Sequence, residues 1–240
     1  MGKHNNLWLF IDIDGTLVGD VSKFIFEYEI LFKYEKAKLP AFRKHLIHHL
    51  ENKLLRPDFS TFVTYIQQSY EDVKLFIYTA SEDKWAKFLV NCIETMTKVK
   101  FQRPLYTRKD CHKVYGSTKN VGNLLNKLNP PSKCMVKLID NNFVLNSDEV
   151  AKGYLIKCPT YHYEPLFDVF DRISRETLES HDKQIIQRAH VYNIISVKAE
   201  TILELLGHFY LKYGKQLLRH PSIETPDTYW KSHNFAKYLK

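Results

Sequence analysis

The chain begins with an apolar segment that ends in two aspartates. Residues 7–18 read LWLFIDIDGTLV, a nearly continuous hydrophobic run that is interrupted by Asp12 and Asp14 and followed by the turn-forming pair Gly15-Thr16. Such a run is typical of a parallel strand that is buried on both faces. Because side chains alternate along a strand, Asp12 and Asp14 should point to the same side, where the strand leaves the apolar layer.

Two neighbouring carboxylates at a strand end repel each other unless a positive group lies beside them. A hard cation with oxygen ligands, typically Mg²⁺, is the usual remedy, and a phosphate group is its usual companion. The alternative is that Asp-Gly-Thr is only a polar turn. That alternative does not explain Asp12, which lies one step inside the apolar run. The motif therefore favours a metal and phosphate site.

Composition narrows the class of protein. The chain has 240 residues, 44% of them hydrophobic, which is enough for one sizeable core and an extension. It has no apolar run long enough for a membrane helix and no signal-peptide core, so we expect a soluble, intracellular protein of the nucleus or cytoplasm. The four cysteines lack zinc-site or disulfide spacing. A net charge of +8 favours an acidic partner, such as a phosphorylated peptide, or nucleic acid bound through a basic surface.

Strands and helices alternate after an insert of about residues 20–53. In the insert, the pattern of Lys23 to Tyr34 predicts a β-hairpin or flap, and a helix should begin near Pro40. The elements predicted after it are helix 58–70, strand 73–79, a helix capped by Ser81, a short strand at 103–106, helix 120–128, strand 134–140, a weaker strand 154–158 and helix 166–175. This alternation predicts an α/β fold, a Rossmann-like parallel sheet whose site lies outside the carboxyl ends of the strands.

The pattern changes beyond Glu179. Residues 183–196 and 197–219 have the spacing of long helices, which predicts a helical C-terminal extension over 180–240 after a main domain over 1–179. Such helices pack on the core, on a protein partner or on a second copy of the chain. The aromatic and basic tail DTYWKSHNFAKYLK is compatible with binding nucleic acid or a partner, or with a docked terminus.

Further polar residues follow the apolar strands. Thr79 ends the second strand and Asp140 ends the third, while Lys119 lies at or just before a helix start, where its ammonium could reach an anion. Taken singly, Thr79 could be a helix-capping hydroxyl and Lys119 a solvated surface cation. Lys109 and Lys113 compete with Lys119 for a site lysine.

The ordered set DxDGT, hydrophobic-Thr, Lys and Asp resembles the haloacid dehalogenase superfamily of aspartate-nucleophile phosphatases. Over Leu7 to Ser174 the chain is most similar to the small phosphatases of the RNA polymerase II C-terminal domain. The further motifs that match them, in the same order, are Arg56-Pro57, YTAS at 78–81, LYTRKDC at 105–111 and the pair Asp140-Asn141. The chain departs from that family at Gly15, where the family usually has Glu, and in a longer stretch between Lys119 and Asp140.

The resemblance implies a mechanism and a set of roles. Asp12 would be the nucleophile and Asp14 the general acid and base, with Thr79 and Lys119 on the phosphoryl oxygens. Ser81 and Arg108 would contact substrate. Mg²⁺ would be held by Asp12, the backbone carbonyl of Asp14 and Asp140, supported by Asn141. The implied activity is Mg²⁺-dependent phosphomonoester hydrolysis through an aspartyl-phosphate, most consistent with a phosphoserine or phosphothreonine protein phosphatase. Alternatives are a phosphatase for nucleic-acid ends or small molecules, and a non-catalytic scaffold that retains the fold.

Overall fold

The fold is built on a four-stranded parallel sheet. The computed structural model describes residues 6–111, 119–163 and 229–231. Strand β1 is Leu7–Ile11, β2 is Val73–Ile77, β3 is Met135–Asp140 and β4 is Leu155–Lys157, and they lie in the order β2-β1-β3-β4. Every residue of β1 is buried, as expected for a central strand between two neighbours. The predicted parallel α/β architecture is confirmed.

The strand register brings the predicted site residues to one edge. Ile11 of β1 is level with Ile77 of β2 and Ile139 of β3. The ladder continues one step further, because the backbone N–H of Asp12 donates to the Ile139 carbonyl at 3.0 Å and that of Tyr78 to the Ile11 carbonyl at 3.0 Å. The residues that follow the three strands therefore emerge at the same level, which is where ligands bind in such sheets.

Six α-helices are present in the described parts of the chain. They are α1 Ser22–Tyr34, α2 Leu39–His49, α3 Phe59–Ser69, α4 Asp83–Thr97, α5 Val121–Leu128 and α6 Ser147–Ala151, with 3₁₀ turns at Lys36–Lys38 and Arg108–Asp110 and an irregular π-type turn at Leu50–Leu54. On α4, Trp85, Leu89, Cys92 and Ile93 are buried at helical spacing and form the face of that helix that packs in the core. None of these helices is both long and apolar enough to cross a bilayer.

The predicted hairpin at Lys23 to Tyr34 is wrong, because this segment is helix α1. The residues that are buried there are Phe24, Glu27, Tyr28 and Leu31, which is the i, i+3, i+4, i+7 spacing of a helix. The aromatic and aliphatic residues between them gave the segment an apparent alternation of period two.

Two other local predictions are wrong. Residues 103–106 form no strand, only a single parallel bridge between Tyr106 and Tyr78. Ser81 does not cap α4; the capping position is Glu82, which makes no side-chain hydrogen bond there. The Ser81 hydroxyl donates instead to the Asp14 carboxyl at 2.6 Å.

The described residues group into two compact units. One contains residues 6–21, 43–111, 119–163 and 229–231, with the sheet; the other contains residues 22–42. In the first unit Trp230 is fully buried, with its ring 4.7 Å from that of Phe62 and 5.5 Å from that of Phe59, so this part of the aromatic tail is docked on α3. The predicted helices at 166–175, 183–196 and 197–219 lie outside the described residues, and the division at 179 and 180 stays a prediction.

Candidate active site

A buried ion triad lies at the carboxyl edge of the sheet. Nζ of Lys119 is 2.6 Å from Oδ1 of Asp12 and 2.6 Å from Oδ2 of Asp140. The three side chains are exposed by only 2%, 8% and 1% respectively. Since isolated charges are almost never buried, the lysine makes it possible for two carboxylates to share this position.

Burial dominates the electrostatics of Asp12. Desolvation raises the pKa of this carboxyl to about 7, with Lys119 lowering it and Asp140 raising it further. Burial acts to lower the pKa of Lys119, but the two carboxylates outweigh it and raise that pKa above its ordinary value. The electrostatics therefore favour the charged form of Lys119, while burial opposes ionisation of Asp12 even with Lys119 beside it.

The start of helix α5 places Lys119. Its backbone N–H donates to the Val144 carbonyl at 3.1 Å, in the loop after β3. The next residue, Asn120, caps the helix by accepting the Asn123 N–H at 2.7 Å, and the Gly122 N–H donates to Oε1 of Glu149 at 2.7 Å. Because the first N–H groups of α5 have fixed partners, the residue before the cap has a fixed direction.

Of the two competing lysines, Lys109 lies on the surface. Nζ of Lys109 is 3.1 Å from Oδ1 of Asp83 on the surface, with 63% of its side chain exposed. That pairing directs Lys109 away from the ion triad. Lys113 lies outside the described residues.

Asp14 is bound on one side only. The Ser81 hydroxyl donates to Oδ2 at 2.6 Å, whereas Oδ1 is buried and has no hydrogen-bond partner among the described residues. Burial raises the pKa of Asp14 above its usual range, and the bond from Ser81 lowers it in part. A carboxyl whose pKa is raised keeps its proton to a higher pH than an ordinary aspartate does, which is the direction that a general acid and base requires.

Thr79 and Arg108 flank this edge in different ways. The fully buried Thr79 accepts the Ser81 N–H at its hydroxyl at 3.1 Å, and its own hydroxyl hydrogen has no acceptor among the described residues. Nε of Arg108 donates to the Ala80 carbonyl at 2.8 Å, and its guanidinium pairs with exposed Glu82 at 3.0 Å. Arg108 thus contacts the loop after Thr79 from the surface.

The residues at this edge offer oxygen donors of mixed type for a cation. Within the described ranges, no three His, Cys, Asp or Glu side chains form a metal-binding group, since Lys119 lies between Asp12 and Asp140. A hard cation also accepts backbone and amide oxygens. The carbonyl of Asp14 accepts no hydrogen bond from the described residues, and Oδ1 of Asn141 receives only neutral donors, from Thr16 and Asn142. These oxygen donors, with the partnerless Oδ1 of Asp14, are of the types that Mg²⁺ accepts.

Gly15 is required by the turn that carries these groups. Its φ is +71°, and a Cβ there would lie 2.7 Å from Nδ2 of Asn141. We expect Gly15→Ala to lower the free energy of unfolding by about 1–2 kcal/mol from backbone strain alone, with a further cost from displacing Asn141. Urea unfolding measures the change. Gly122→Ala is the matched control, since its Cβ would meet nothing closer than 3.5 Å; an equal loss in both variants would contradict the argument.

Sequence reasoning assigned no role to two residues that build this edge. Buried Arg56 was noticed only for its place in the motif order, yet it donates to the Thr16 carbonyl at 3.4 Å and the Pro159 carbonyl at 3.0 Å and so braces the turn after β1. Tyr78, noted only within YTAS, uses its hydroxyl to reach the start of α5. An arginine before the helix and a tyrosine inside an apolar run are weak signals, because both patterns are common in packed cores.

Comparisons with known proteins place the chain in a family. No curated protein sequence gives a match. Among solved structures, the RNA polymerase II CTD phosphatase Fcp1 is 17% identical over 95% of this chain and 66% of its own length, with a TM-score of 0.40. This chain therefore spans just under two thirds of that protein. Fission yeast Fcp1 bound to beryllium fluoride is 16% identical over 95% of this chain and 67% of its own, with a TM-score of 0.37. The HAD domain of the Legionella pneumophila effector Lem4 is 11% identical over 75% of this chain and 97% of its own, with a TM-score of 0.36.

The sequence profile of the NLI interacting factor-like phosphatases matches residues 7–170, from the first residue of β1 to beyond β4. That match covers more than half of the chain and includes every residue of the ion triad. The resemblance to phosphatases expected from the motif order is confirmed at this level. The chain belongs to the NLI interacting factor-like phosphatase family.

Proposed function

We propose that this chain hydrolyses phosphomonoesters through an aspartyl-phosphate intermediate. The observation that carries the proposal is the buried contact of Lys119 with Asp12 and Asp140, beside an Asp14 whose pKa is raised. A purely structural core would not retain this many buried charges, because apolar residues would stabilise it as well or better. Family membership supports the same conclusion.

In the first step, a carboxylate oxygen of Asp12 attacks phosphorus in line with the ester oxygen. The new bond is the acyl phosphate, and the broken bond is that between phosphorus and the ester oxygen. Asp14 gives its proton to the departing alkoxide, so the alcohol leaves neutral. The Ser81 hydroxyl, at 2.6 Å, holds the Asp14 carboxyl in one orientation during this transfer.

In the second step, water attacks the phosphorus of the acyl phosphate. Asp14, now a carboxylate, takes one proton from that water, and the bond from phosphorus to Asp12 breaks. Phosphate leaves, the Asp12 carboxylate is restored, and Asp14 is again protonated. The same group acts as acid and then as base, which its raised pKa favours.

Positive charge and hydrogen-bond donors would stabilise the transferring phosphoryl group. Lys119 supplies a fixed ammonium next to the attacking carboxylate, and the Thr79 hydroxyl hydrogen supplies a neutral donor. Asp12, the Asp14 carbonyl, Asp140 and Asn141 would hold Mg²⁺, which when bound neutralises charge on the nucleophile and the phosphoryl oxygens. Asp140 would do so while also remaining the second partner of Lys119.

We further propose that the substrate is a phosphoserine or phosphothreonine in a protein, of the kind presented by a polymerase C-terminal domain. An alkyl alcohol is a poor leaving group, so its departure requires the positioned acid that Asp14 provides. The net charge of +8 favours association with a phosphorylated, acidic peptide. The motif order of the sequence supports the same substrate class.

Phosphate release by the full chain tests this proposal. With Mg²⁺ present, we expect steady hydrolysis of an aryl phosphate, and loss of at least about 100-fold of that rate when a chelator removes the metal, since the ion neutralises charge on both reactants. Phosphoserine and phosphothreonine peptides should be hydrolysed with a higher kcat/KM than 5′- or 3′-phosphorylated oligonucleotides. No release from folded, Mg²⁺-loaded protein would overturn the activity, and a preference for oligonucleotides would overturn only the substrate class.

A further inference from the structure

Tyr78 joins the sheet to the start of helix α5. It follows β2 directly and precedes Thr79, and it is fully buried. Its N–H donates to the Ile11 carbonyl, and it forms a parallel bridge with Tyr106, whose ring centroid is 6.1 Å away. The backbone and ring of Tyr78 are therefore fixed by the most buried part of the fold.

The Tyr78 hydroxyl makes two hydrogen bonds. It accepts the Asn120 N–H at 2.9 Å and donates to the Asp110 carbonyl at 3.1 Å. These are its ordinary acceptor and donor capacities in a buried site, both used. Since Asn120 directly follows Lys119, a group mounted on the sheet fixes the chain one residue from the site ammonium. The Tyr78 ring also faces that ammonium, with Nζ of Lys119 at 5.5 Å from the ring centroid.

We infer that Tyr78 is a positioning residue for Lys119. The effect of this positioning on turnover rests on the proposed phosphatase function. The other hydrogen bonds at the start of α5 come from the helix itself and from the segment after β3: Val144 and Glu149 accept the N–H groups of Lys119 and Gly122. Among the hydrogen bonds of the described residues, only that of the Tyr78 hydroxyl joins this helix start to the end of β2, which carries Thr79. It thereby sets the spacing of the two groups proposed to contact the phosphoryl oxygens.

Tyr78→Phe isolates the hydroxyl. The ring, its packing and its face towards Lys119 remain, while the bonds to Asn120 and Asp110 are lost. Misplacing a group that acts in the transition state reduces kcat by about 10- to 100-fold, because displacements of about 1 Å carry penalties of that order. The charge that attracts the substrate is still present, so KM should change by less than about threefold.

The matched control is Tyr106→Phe. Tyr106 belongs to the same buried aromatic cluster, but its hydroxyl makes no hydrogen bond within the described residues. Steady-state kinetics on an aryl phosphate compares the two variants with the unaltered chain. We expect kcat to fall in Tyr78→Phe alone. A normal kcat in Tyr78→Phe, in protein that otherwise hydrolyses the substrate, would overturn the inference and leave the phosphatase proposal intact.

A second readout does not depend on turnover. Labelling with an amine-reactive reagent, followed by mass spectrometry, reports how often Lys119 leaves its two carboxylates. Labelling of Lys119 should rise at least about threefold in Tyr78→Phe and remain unchanged in Tyr106→Phe. Only Tyr78→Phe removes the hydrogen bond at the start of α5, so only there should the Lys119 amine be exposed to solvent more often. Lys137, whose Nζ donates to the Gly153 carbonyl at 2.7 Å, is the internal control. A parallel rise at Lys137 would show general loosening and would overturn a positioning role.

Hydrogen exchange covers the case in which Tyr78→Phe does not fold. In the unaltered chain, the Asn120 amide should exchange as slowly as amides of the central strand, because it is bound to a buried hydroxyl. Exchange at the rate of a free amide would overturn the inference. If the unaltered chain releases no phosphate, the proposed function fails, while labelling and exchange still decide whether Tyr78 fixes Lys119.

Discussion

Replacing Asp12 by Asn should abolish phosphate release. An amide has no anionic oxygen to attack phosphorus, so the acyl phosphate cannot form, and the loss in kcat should be at least about 1,000-fold, as is usual when a nucleophile is removed. The substitution should not unfold the chain. Burial raises the pKa of Asp12 to about 7, so the folded protein already tolerates its neutral form, and Lys119 keeps Asp140 as a partner.

Two measurements make this prediction specific. Intact-mass analysis after rapid quenching should detect a phosphorylated chain for the unaltered protein and none for Asp12→Asn. Asp148→Asn, which neutralises an exposed carboxylate on α6, should leave both kcat and the trapped intermediate unchanged. Turnover that survives in Asp12→Asn would mean that another residue is the nucleophile and would contradict the mechanism.

The parts of the fold that were predictable are those in which one pattern dominates. The run ending in Asp12 is typical of a buried parallel strand, and Thr79 and Asp140 follow equally plain apolar strands, so their meeting at one sheet edge followed from parallel topology. Helix α1 was not predictable in the same way. Its residues are apolar on most sides, so a helical and an alternating pattern fit the letters equally well, and only burial separates them.

The sequence does not predict which lysine pairs with the site carboxylates. Three lysines, Lys109, Lys113 and Lys119, had comparable claims, because spacing along a loop does not fix the direction of a side chain. Hydrogen bonds at the start of α5 decide for Lys119, and the surface pair with Asp83 decides against Lys109. Similarly, Ser81 has the sequence position of a helix cap, but the capping position is Glu82 and the Ser81 hydroxyl donates to Asp14.

Lys119→Met should impair stability and turnover together. The variant keeps the length of the side chain but leaves Asp12 and Asp140 buried and facing each other without their cation. Breaking a buried pair in this way costs about 3–5 kcal/mol. Loss of a fixed positive charge at the phosphoryl group should also lower kcat by about 100- to 1,000-fold. Urea unfolding and steady-state kinetics measure the two effects.

The pH dependence of the stability loss follows from the carboxylates. The raised pKa of Lys119 means that its charge stabilises the unaltered chain throughout the range from pH 5 to 8. Without it the pKa of Asp12, already about 7, rises further, so the folded state increasingly resists ionisation as pH rises. The difference in unfolding free energy between Lys119→Met and the unaltered chain should therefore be larger at pH 8 than at pH 5, with the increase setting in near pH 7. A difference that shrinks over this range would contradict the electrostatic argument.

A second substitution separates the effect of Lys119→Met on stability from its effect on turnover. Adding Asp140→Asn to Lys119→Met removes the facing charge, so a part of the lost stability should return, in the manner of a coupled pair. Turnover should not return, because the phosphoryl group still lacks the ammonium and Asp140→Asn also alters a proposed Mg²⁺ ligand. Lys109→Met is the control lysine; its exposed pair with Asp83 is worth about 0–1 kcal/mol, and kcat should be unaltered. Recovery of kcat in the double variant would mean that Lys119 serves the fold and that another cation serves the reaction.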